Sequence, residues 1–298
     1  MFFILLTKYL ISDIIYVKII IRRNEDMRIV LKDGKKKVLT LSYDDGVKQD
    51  KRLIEILDKN GIKCTFNLNS GIYLKDEPDL ARRMEKEDVI KTYKDCGHEI
   101  AIHGMHHLFY NHLDKTEIIY ETVQDRKNLE EDFGVIIRGM AYPFGSYNDE
   151  VIDLLGKCGI AYARTTNSTK KCEFPENWLE LNPTCHHNDP DFMKMAKRFA
   201  DVKNRFNNSE MFYLWGHSYE FDDDNNWNVI EEFAEYVGGR DNIWYATNIE
   251  VYDYVQAYKN LQTSYDKKII HNPSAIDVWF DIKDVIYCAK AGETIFIK

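Results

Sequence analysis

Val38-Leu39-Thr40-Leu41-Ser42-Tyr43-Asp44-Asp45-Gly46 is an apolar run that stops abruptly at two adjacent carboxylates and a glycine. Two ionised acids side by side repel each other and are costly to desolvate at a strand end. Such a pair persists most naturally when the labour is divided, with a metal on one acid and a proton on the other. The groups that would complete that arrangement have to come from other strand ends.

The bulk composition suits such a site. A chain of 298 residues, 44% hydrophobic and 30% charged, reads as globular and long enough for one large α/β domain or two modest ones. The net charge is −9 and the 40 lysines and arginines form no long basic block, which disfavours nucleic acid or anionic lipid as a partner. Among the aromatics are 19 Tyr and 5 Trp, whose apolar faces suit sugar rings. Six scattered cysteines (Cys64, Cys96, Cys158, Cys172, Cys185, Cys288) contain no CxxC and read as reduced thiols. Met1 to Ile21 is apolar but interrupted by Lys8, Asp13 and Lys18, a poor membrane span. It lacks a basic start and a small-residue cleavage site, so it is also a poor signal peptide. Residues 1–26 read as an N-terminal extension, with the main domain over 27–263. A start at Met27 implies a cytoplasmic protein; otherwise an extracellular or cell-envelope location is expected.

Periodicity organises the rest. Strand-like runs near 38–43, 62–68, 99–103, 136–142, 160–165, 211–216 and 243–246 alternate with helical stretches. Asp79 reads as the cap of a helix to about Cys96, and Asp114 as the cap of one ending at Phe133-Gly134. Asp189-Pro190 opens a helix to about Phe206, and Thr247-Asn248-Ile249-Glu250 is a capping box. Residues 166–188 read as a long loop. From Lys267 onward, short apolar runs separated by turn residues predict a β meander, a C-terminal extension over 264–298 packed on the main domain. Strand–helix alternation implies parallel strands with right-handed crossovers, leaving a barrel and an open sheet both possible. In either, functional groups gather at strand C-terminal ends.

Four such ends carry chemistry: Asp44-Asp45, His103-Gly104-Met105-His106-His107, Tyr142-Pro143-Phe144-Gly145 and Leu214-Trp215-Gly216-His217. Two histidines four apart can share one face of a turn and chelate a cation, with one carboxylate completing the set. Zinc or another divalent transition metal fits N,N,O ligation with positions left open. His106 is a competing ligand at less suitable spacing.

Together these motifs resemble the polysaccharide deacetylases, carbohydrate esterase family 4 with its NodB homology domain. Ser42-Tyr43-Asp44-Asp45-Gly46 is similar to the family's T/S-F/Y-D-D-G, His103 to His107 to its H-x-x-x-H, Tyr142-Pro143-Phe144-Gly145 to its P-Y-G turn, and Leu214 to His217 to its late L-x-H. The resemblance implies an α/β fold, a distorted, incomplete (β/α)7 barrel, and a metal-dependent deacetylase acting on an acetylated oligo- or polysaccharide. It implies Asp45, His103 and His107 as ligands of a divalent metal, most simply Zn2+, with Co2+, Ni2+ or Mn2+ as alternatives. It also implies Asp44 as general base, His217 as general acid and the Phe144 backbone N–H as an oxyanion donor. Tyr142, Pro143, Trp215 and Tyr219 become candidate substrate contacts, and Trp178 and Trp227 further sugar platforms.

There are departures. The family's base-orienting arginine falls on Ala141, and Arg164 is the candidate substitute. The tryptophan motif and the aspartate that tunes the catalytic histidine have no clear match, leaving Glu220 and Asp222 as candidates to orient His217. His186 and His187 read as surface histidines, with a place lining a substrate groove as the alternative. Two alternatives follow: a non-catalytic carbohydrate-binding module on a decayed scaffold, or a deacylase of a non-sugar amide.

Overall fold

The computed structural model describes residues 27–73, 81–202 and 208–298. In chain order it contains β1 (Met27–Val30), β2 (Lys37–Asp44), α1 (Asp50–Lys59), β3 (Thr65–Leu68), α2 (Lys86–Tyr93), β4 (Glu99–Ile102) and α3 (Lys115–Phe133). There follow β5 (Gly139–Ala141), α4 (Asp149–Lys157), β6 (Tyr162–Arg164), β7 (Cys185–His186), α5 (Phe192–Asp201), β8 (Glu210–Gly216), the short α6 (Glu220–Asp223), α7 (Asn228–Val237), β9 (Ile243–Tyr245) and α8 (Asn248–Lys259). The tail holds β10 (Gln262–Thr263), β11 (Ile269–His271), β12 (Val278–Ile282), β13 (Val285–Ala289) and β14 (Thr294–Phe296). The readings of residues 1–26, of the Asp79 cap and of a helix end at Phe206 fall outside the described residues; α2 itself begins at Lys86. The α3 cap is a full box: Asp114 accepts the Thr116 and Glu117 N–H groups, and Glu117 accepts that of Asp114. Among the described residues no helix is long and apolar enough to cross a membrane. All six cysteines carry free thiols.

Contacts divide the chain into two units, one comprising the described residues 37–73, 81–202 and 210–253. Its parallel sheet runs β6-β5-β4-β3-β2-β8-β7 and curls into an incomplete barrel. One edge of β2 is shared: its first half pairs with β9 and its last residues with β3. Residues 166–188, expected to be loop, contribute to the sheet. Leu181 bridges to Arg164, and β7 pairs with β8 at Leu214 and Trp215. A two-residue strand has too short a run for its period to stand out in sequence.

The period of two sorts the side chains. Leu39, Leu41, Tyr43, Phe66, Leu68, Ile100, Ile102, Met140, Ala163, Phe212 and Leu214 enter the hydrophobic core. Their alternates Thr40, Ser42, Asp44, Thr65, Asn67, His103 and Arg164 are buried polar groups, as Glu99, Tyr162 and Tyr213 are in their bonding. Burial of so much polarity demands partners. Thr40 Oγ1 donates to Asn248 Oδ1, Asn67 Nδ2 to Ser42 Oγ, and Tyr162 Oη and Thr65 Oγ1 to the Glu99 carboxyl.

Gly139 is the tight point of this network. A Cβ there would lie 2.1 Å from Tyr162 Oη, on the neighbouring strand at the paired position. Gly139→Ala is expected to push Tyr162 off Glu99 and cost about 1–3 kcal/mol of stability. Chemical denaturation measures this, and an unchanged midpoint would contradict the crowding.

The other unit comprises described residues 27–36, 208–209 and 254–298. Here β1, at the start of the stretch expected to form the main domain, pairs antiparallel with β12, which pairs with β13. A second antiparallel sheet runs β10-β11-β14. Ile270, Phe280 and Ala289 form a small core, and Arg28 pairs with Asp281 and Asp284.

Candidate active site and metal centre

Strand direction and the period of two place Asp44, His103, Ala141, Arg164 and Trp215 on the inward face at the C-terminal ends of β2, β4, β5, β6 and β8. Ala141 and Arg164 are directly paired across β5 and β6. The methyl group of Ala141 fills little of the space that a long side chain would take, and the Arg164 guanidinium reaches Asp44 Oδ2 from the adjacent strand. Trp215 lies beneath it, with its ring 4.3 Å from the guanidinium carbon, a cation–π contact. Asn67 Nδ2 donates to Asp44 Oδ1 at 2.8 Å. Burial pushes the Asp44 carboxyl up, but Arg164, then His103 and His217, outweigh it and hold it at about 2.

Beyond Asp44 the chain turns sharply. Asp45 (φ 83°), His107 (φ 53°) and Phe144 (φ 57°) all adopt left-handed backbone conformations, each beside a glycine or one turn from it. Non-glycine residues persist there only when their surroundings compensate the strain, a feature concentrated at functional sites. Arg83 supplies part of that compensation. Its Nη2 donates to Asp45 Oδ1 at 2.9 Å, and its Nη1 donates to the Asp45 carbonyl and, at 2.9 Å, to Asn69 Oδ1.

Asp45, His103 and His107 form a donor set able to hold a cation. His103 Nδ1–H donates to the Ala141 carbonyl at 2.8 Å, so its Nε2 carries a bare lone pair. His107 Nε2 stands 3.1 Å from it, so a proton or a cation must lie between them. Asp45 Oδ1 is 3.7 Å from His107 Nε2 and 3.9 Å from His103 Nε2. Ligand atoms bound to one ion at about 2.1 Å stand roughly 3 Å apart, so the donors fit a small divalent cation. Burial lowers both histidines, His107 to about 4, which keeps the imidazoles neutral as ligation requires. Burial raises Asp45, but Arg83 and the histidines bring it below its usual value.

His217 approaches from the opposite side, its Nε2 3.8 Å from Asp44 Oδ2. Burial lowers its basicity, yet Glu220 and the two aspartates raise it above the ordinary histidine range. Glu220 accepts the His217 backbone N–H at 3.1 Å. His186 and His187, expected at the surface, also converge on Glu220, and His187 is buried. The alternative orienting acid, Asp222, is engaged elsewhere by Trp227 Nε1 and Gln49 Nε2.

Other expected contacts belong to packing. Tyr142 is buried and donates its hydroxyl to the Leu179 carbonyl, so its side chain is not at a substrate surface. Pro143 is buried, and Trp215, 9% exposed, presents its face to Arg164. Trp178 packs on Tyr252 and Trp227 on Phe221, which removes both as sugar platforms. Phe144 is 54% exposed and lies over His107, while Tyr219 is half-buried under Arg82. Arg83 and Asn67 were not singled out from sequence. Asn67 is the inward residue one step before the end of β3, a position that period two identifies; Arg83 stands outside any periodic run.

Residues 31–163 match the family model for polysaccharide deacetylase. That segment, just under half of the chain, is similar to the polysaccharide deacetylases. The matched segment carries Asp44, Asp45, His103, His107 and the Tyr142–Gly145 turn, whereas Arg164, His186, His187, His217 and Glu220 lie beyond its end. Chitin deacetylase 1 of Cryptococcus neoformans var. grubii is 27% identical over 135 residues, 45% of this chain and 27% of that protein. An uncharacterized 30.6 kDa protein of Geobacillus stearothermophilus is 28% identical over 136 residues, 45% of this chain and 39% of the relative. The matches therefore span well under half the length of these curated relatives. A solved structure named for a polysaccharide deacetylase of Mycobacterium smegmatis superposes with a TM-score of 0.56 at 19% identity. It covers 78% of this chain and 94% of the other, and shares the fold.

Proposed function

We propose that this chain is a metal-dependent hydrolase that removes N-acetyl or O-acetyl groups from a carbohydrate. The observation that carries the reading is the convergence of the His103 and His107 imidazoles and Asp45 beside an arginine-held Asp44, with His217 on the far side of Asp44. Asp45, His103 and His107 would hold the metal. When bound, a divalent cation supplies the positive charge that acidifies water and polarises the scissile carbonyl.

Asp44 acts as the base. Arg164 and Asn67 fix its carboxylate and keep it ionised, so it accepts a proton from the attacking water only where that water is acidified. His217, raised in basicity by Glu220 and the two aspartates, delivers a proton to the leaving nitrogen or oxygen. The left-handed turn at Phe144 holds a backbone N–H in a fixed place for the developing oxyanion. The match of residues 31–163 to the polysaccharide deacetylase model supports an acetylated carbohydrate as substrate. The test is acetate release from chitooligosaccharides, acetylxylan and peptidoglycan fragments, with and without chelation. The expected outcome is release from at least one of them, lost on chelation and restored by Zn2+ or Co2+. Saturable sugar binding insensitive to chelator, with no acetate released, would instead establish the non-catalytic module.

A further inference from the structure

Asp50, the first residue of α1, is fully buried, and none of its bonding partners is a cation. Its Oδ1 accepts the Ser218 hydroxyl at 2.5 Å. Its Oδ2 accepts the Tyr93 hydroxyl at 2.5 Å and the Val47 backbone N–H at 3.2 Å. An acid in the first turn of a helix commonly closes a local bond of the last kind. Local capping accounts for Val47 alone. The other two bonds reach Tyr93, 43 positions away at the end of α2, and Ser218, 168 positions away just after β8.

The three partners belong to segments that surround the site. Val47 follows Asp44-Asp45-Gly46, and Ser218 follows His217. The Tyr93 hydroxyl stands beside Gly46, where a Cβ would lie 3.9 Å from it. Ser218 and Tyr93 are themselves buried, so a lost bond leaves a polar group without a partner. Burial pushes Asp50 up to about 7 against the three hydrogen bonds, and the charge of Asp45 acts in the same direction as burial. Tyr43 on β2, Cys64 before β3 and Tyr93 on α2 also face it, and none of them brings positive charge. A strongly perturbed acid beside a reactive site is a candidate for a role in that site.

We propose that Asp50 is a positioning residue that joins two turns of the site: through Ser218 it fixes the backbone carrying His217 against the turn carrying Asp44 and Asp45. The inference rests on the reading of His217 as the acid. Without the link every reacting group is still present, but the separation of His217 Nε2 from Asp44 Oδ2, 3.8 Å in this structure, is no longer held. A displacement of about 1 Å between reacting groups costs on the order of 10²-fold in rate. Stability carries the opposite sign. An acid whose folded value lies above its unfolded one lowers stability as pH rises from about 4 to 7, so the Asp50 carboxylate weakens the fold where it serves the site.

The test uses the Zn2+-loaded full chain and whichever of the three acetylated polymers the wild type hydrolyses. Ser218→Ala removes the link and leaves Asp50 bonded to Tyr93 and Val47. The expected result is a fall in kcat of about tenfold or more with KM within about twofold. In the metal-free chain the NMR resonances of the His217 ring should shift and broaden in Ser218→Ala, a readout independent of turnover. Asp50→Asn is the second probe. Its amide oxygen can accept from Tyr93 and Val47 while its NH₂ donates to Ser218 Oγ, so the link survives without the charge. Its loss of rate is expected to be smaller than that of Ser218→Ala. Its melting temperature is expected to exceed that of the wild type at pH 8, with the difference shrinking toward pH 4. A folded Ser218→Ala with a smaller fall in kcat, or with unshifted His217 resonances, would overturn the proposal. So would an Asp50→Asn that loses more rate than Ser218→Ala or melts below the wild type at pH 8, since the charge and not the link would then carry the role. Undiminished turnover in His217→Ala would overturn instead the reading of His217 as the acid.

Discussion

Asp44→Asn is expected to lower acetate release by about 10²- to 10⁴-fold, the span associated with losing a positioned general base, while leaving metal stoichiometry unchanged. The geometry makes this a clean substitution for chemistry and an awkward one for packing. Asp44 Oδ1 accepts from Asn67 Nδ2, and Oδ2 accepts from Arg164 Nη2. An asparagine can present its single oxygen to only one of these donors, and its own NH₂ then faces the other. Asn67 Oδ1 has no hydrogen-bond partner, so the Asn67 amide can rotate to accept that NH₂, at the cost of its bond to Ser42. Arg164 keeps a neutral oxygen but loses its counter-charge. A moderate fall in melting temperature should therefore accompany the loss of rate. Asp45, His103 and His107 are untouched, so metal content by elemental analysis stays at the wild-type value. A variant that turns over within tenfold of wild type would remove Asp44 from the role of base.

Arg164→Met is expected to have the largest effect on stability, about 3–5 kcal/mol, because removing one partner of a buried ion pair leaves the other charge uncompensated. Both side chains are almost wholly buried, 1% exposed for Arg164 and 2% for Asp44. The pH dependence follows from sign. Burial alone would raise Asp44, and Arg164 is the largest of the charges that bring it to about 2. A carboxyl held below its unfolded value stabilises the fold above about pH 4, and this contribution is lost as pH falls toward 2. With Arg164 gone the folded value moves upward and the contribution vanishes. The difference in melting temperature between wild type and variant should therefore be greatest near neutrality and shrink on acidification. Measured on the metal-free chain, this separates the arginine's effect from that of the cation. In the loaded enzyme the acid limb of the rate profile should move to higher pH. A pH-independent difference would instead assign Arg164 to packing against Trp215 alone.

Much of the site was legible because its motifs are local. Asp44-Asp45-Gly46, the His103 and His107 spacing, Pro143 to Gly145 and His217 are each contained within a few residues at a strand end. The caps at Asp114 and Thr247 were legible for the same reason, since capping bonds close within three residues. The misreadings share the opposite property. Trp178, Trp227 and Tyr142 were candidate sugar contacts by residue type, but burial depends on what packs over them from elsewhere in the chain. His186 and His187 looked superficial because no local pattern announces a two-residue strand.

The sequence by itself determined the alternation of strands and helices, the faces on which their residues fall and the acid and imidazole groups at the strand ends. Side-chain period and hydrogen-bonded turns are nearest-neighbour physics, written in adjacent residues. Only the tertiary structure decided which group holds Asp44, which holds Asp45 and which faces His217. Arg164 takes the place left by Ala141 because β5 and β6 pair in register, 23 positions apart. Arg83 reaches Asp45 across 38 positions, and β7 comes to Glu220 only by pairing with β8. Charge pairing across such separations depends on strand register and burial, neither of which a stretch of neighbouring residues encodes.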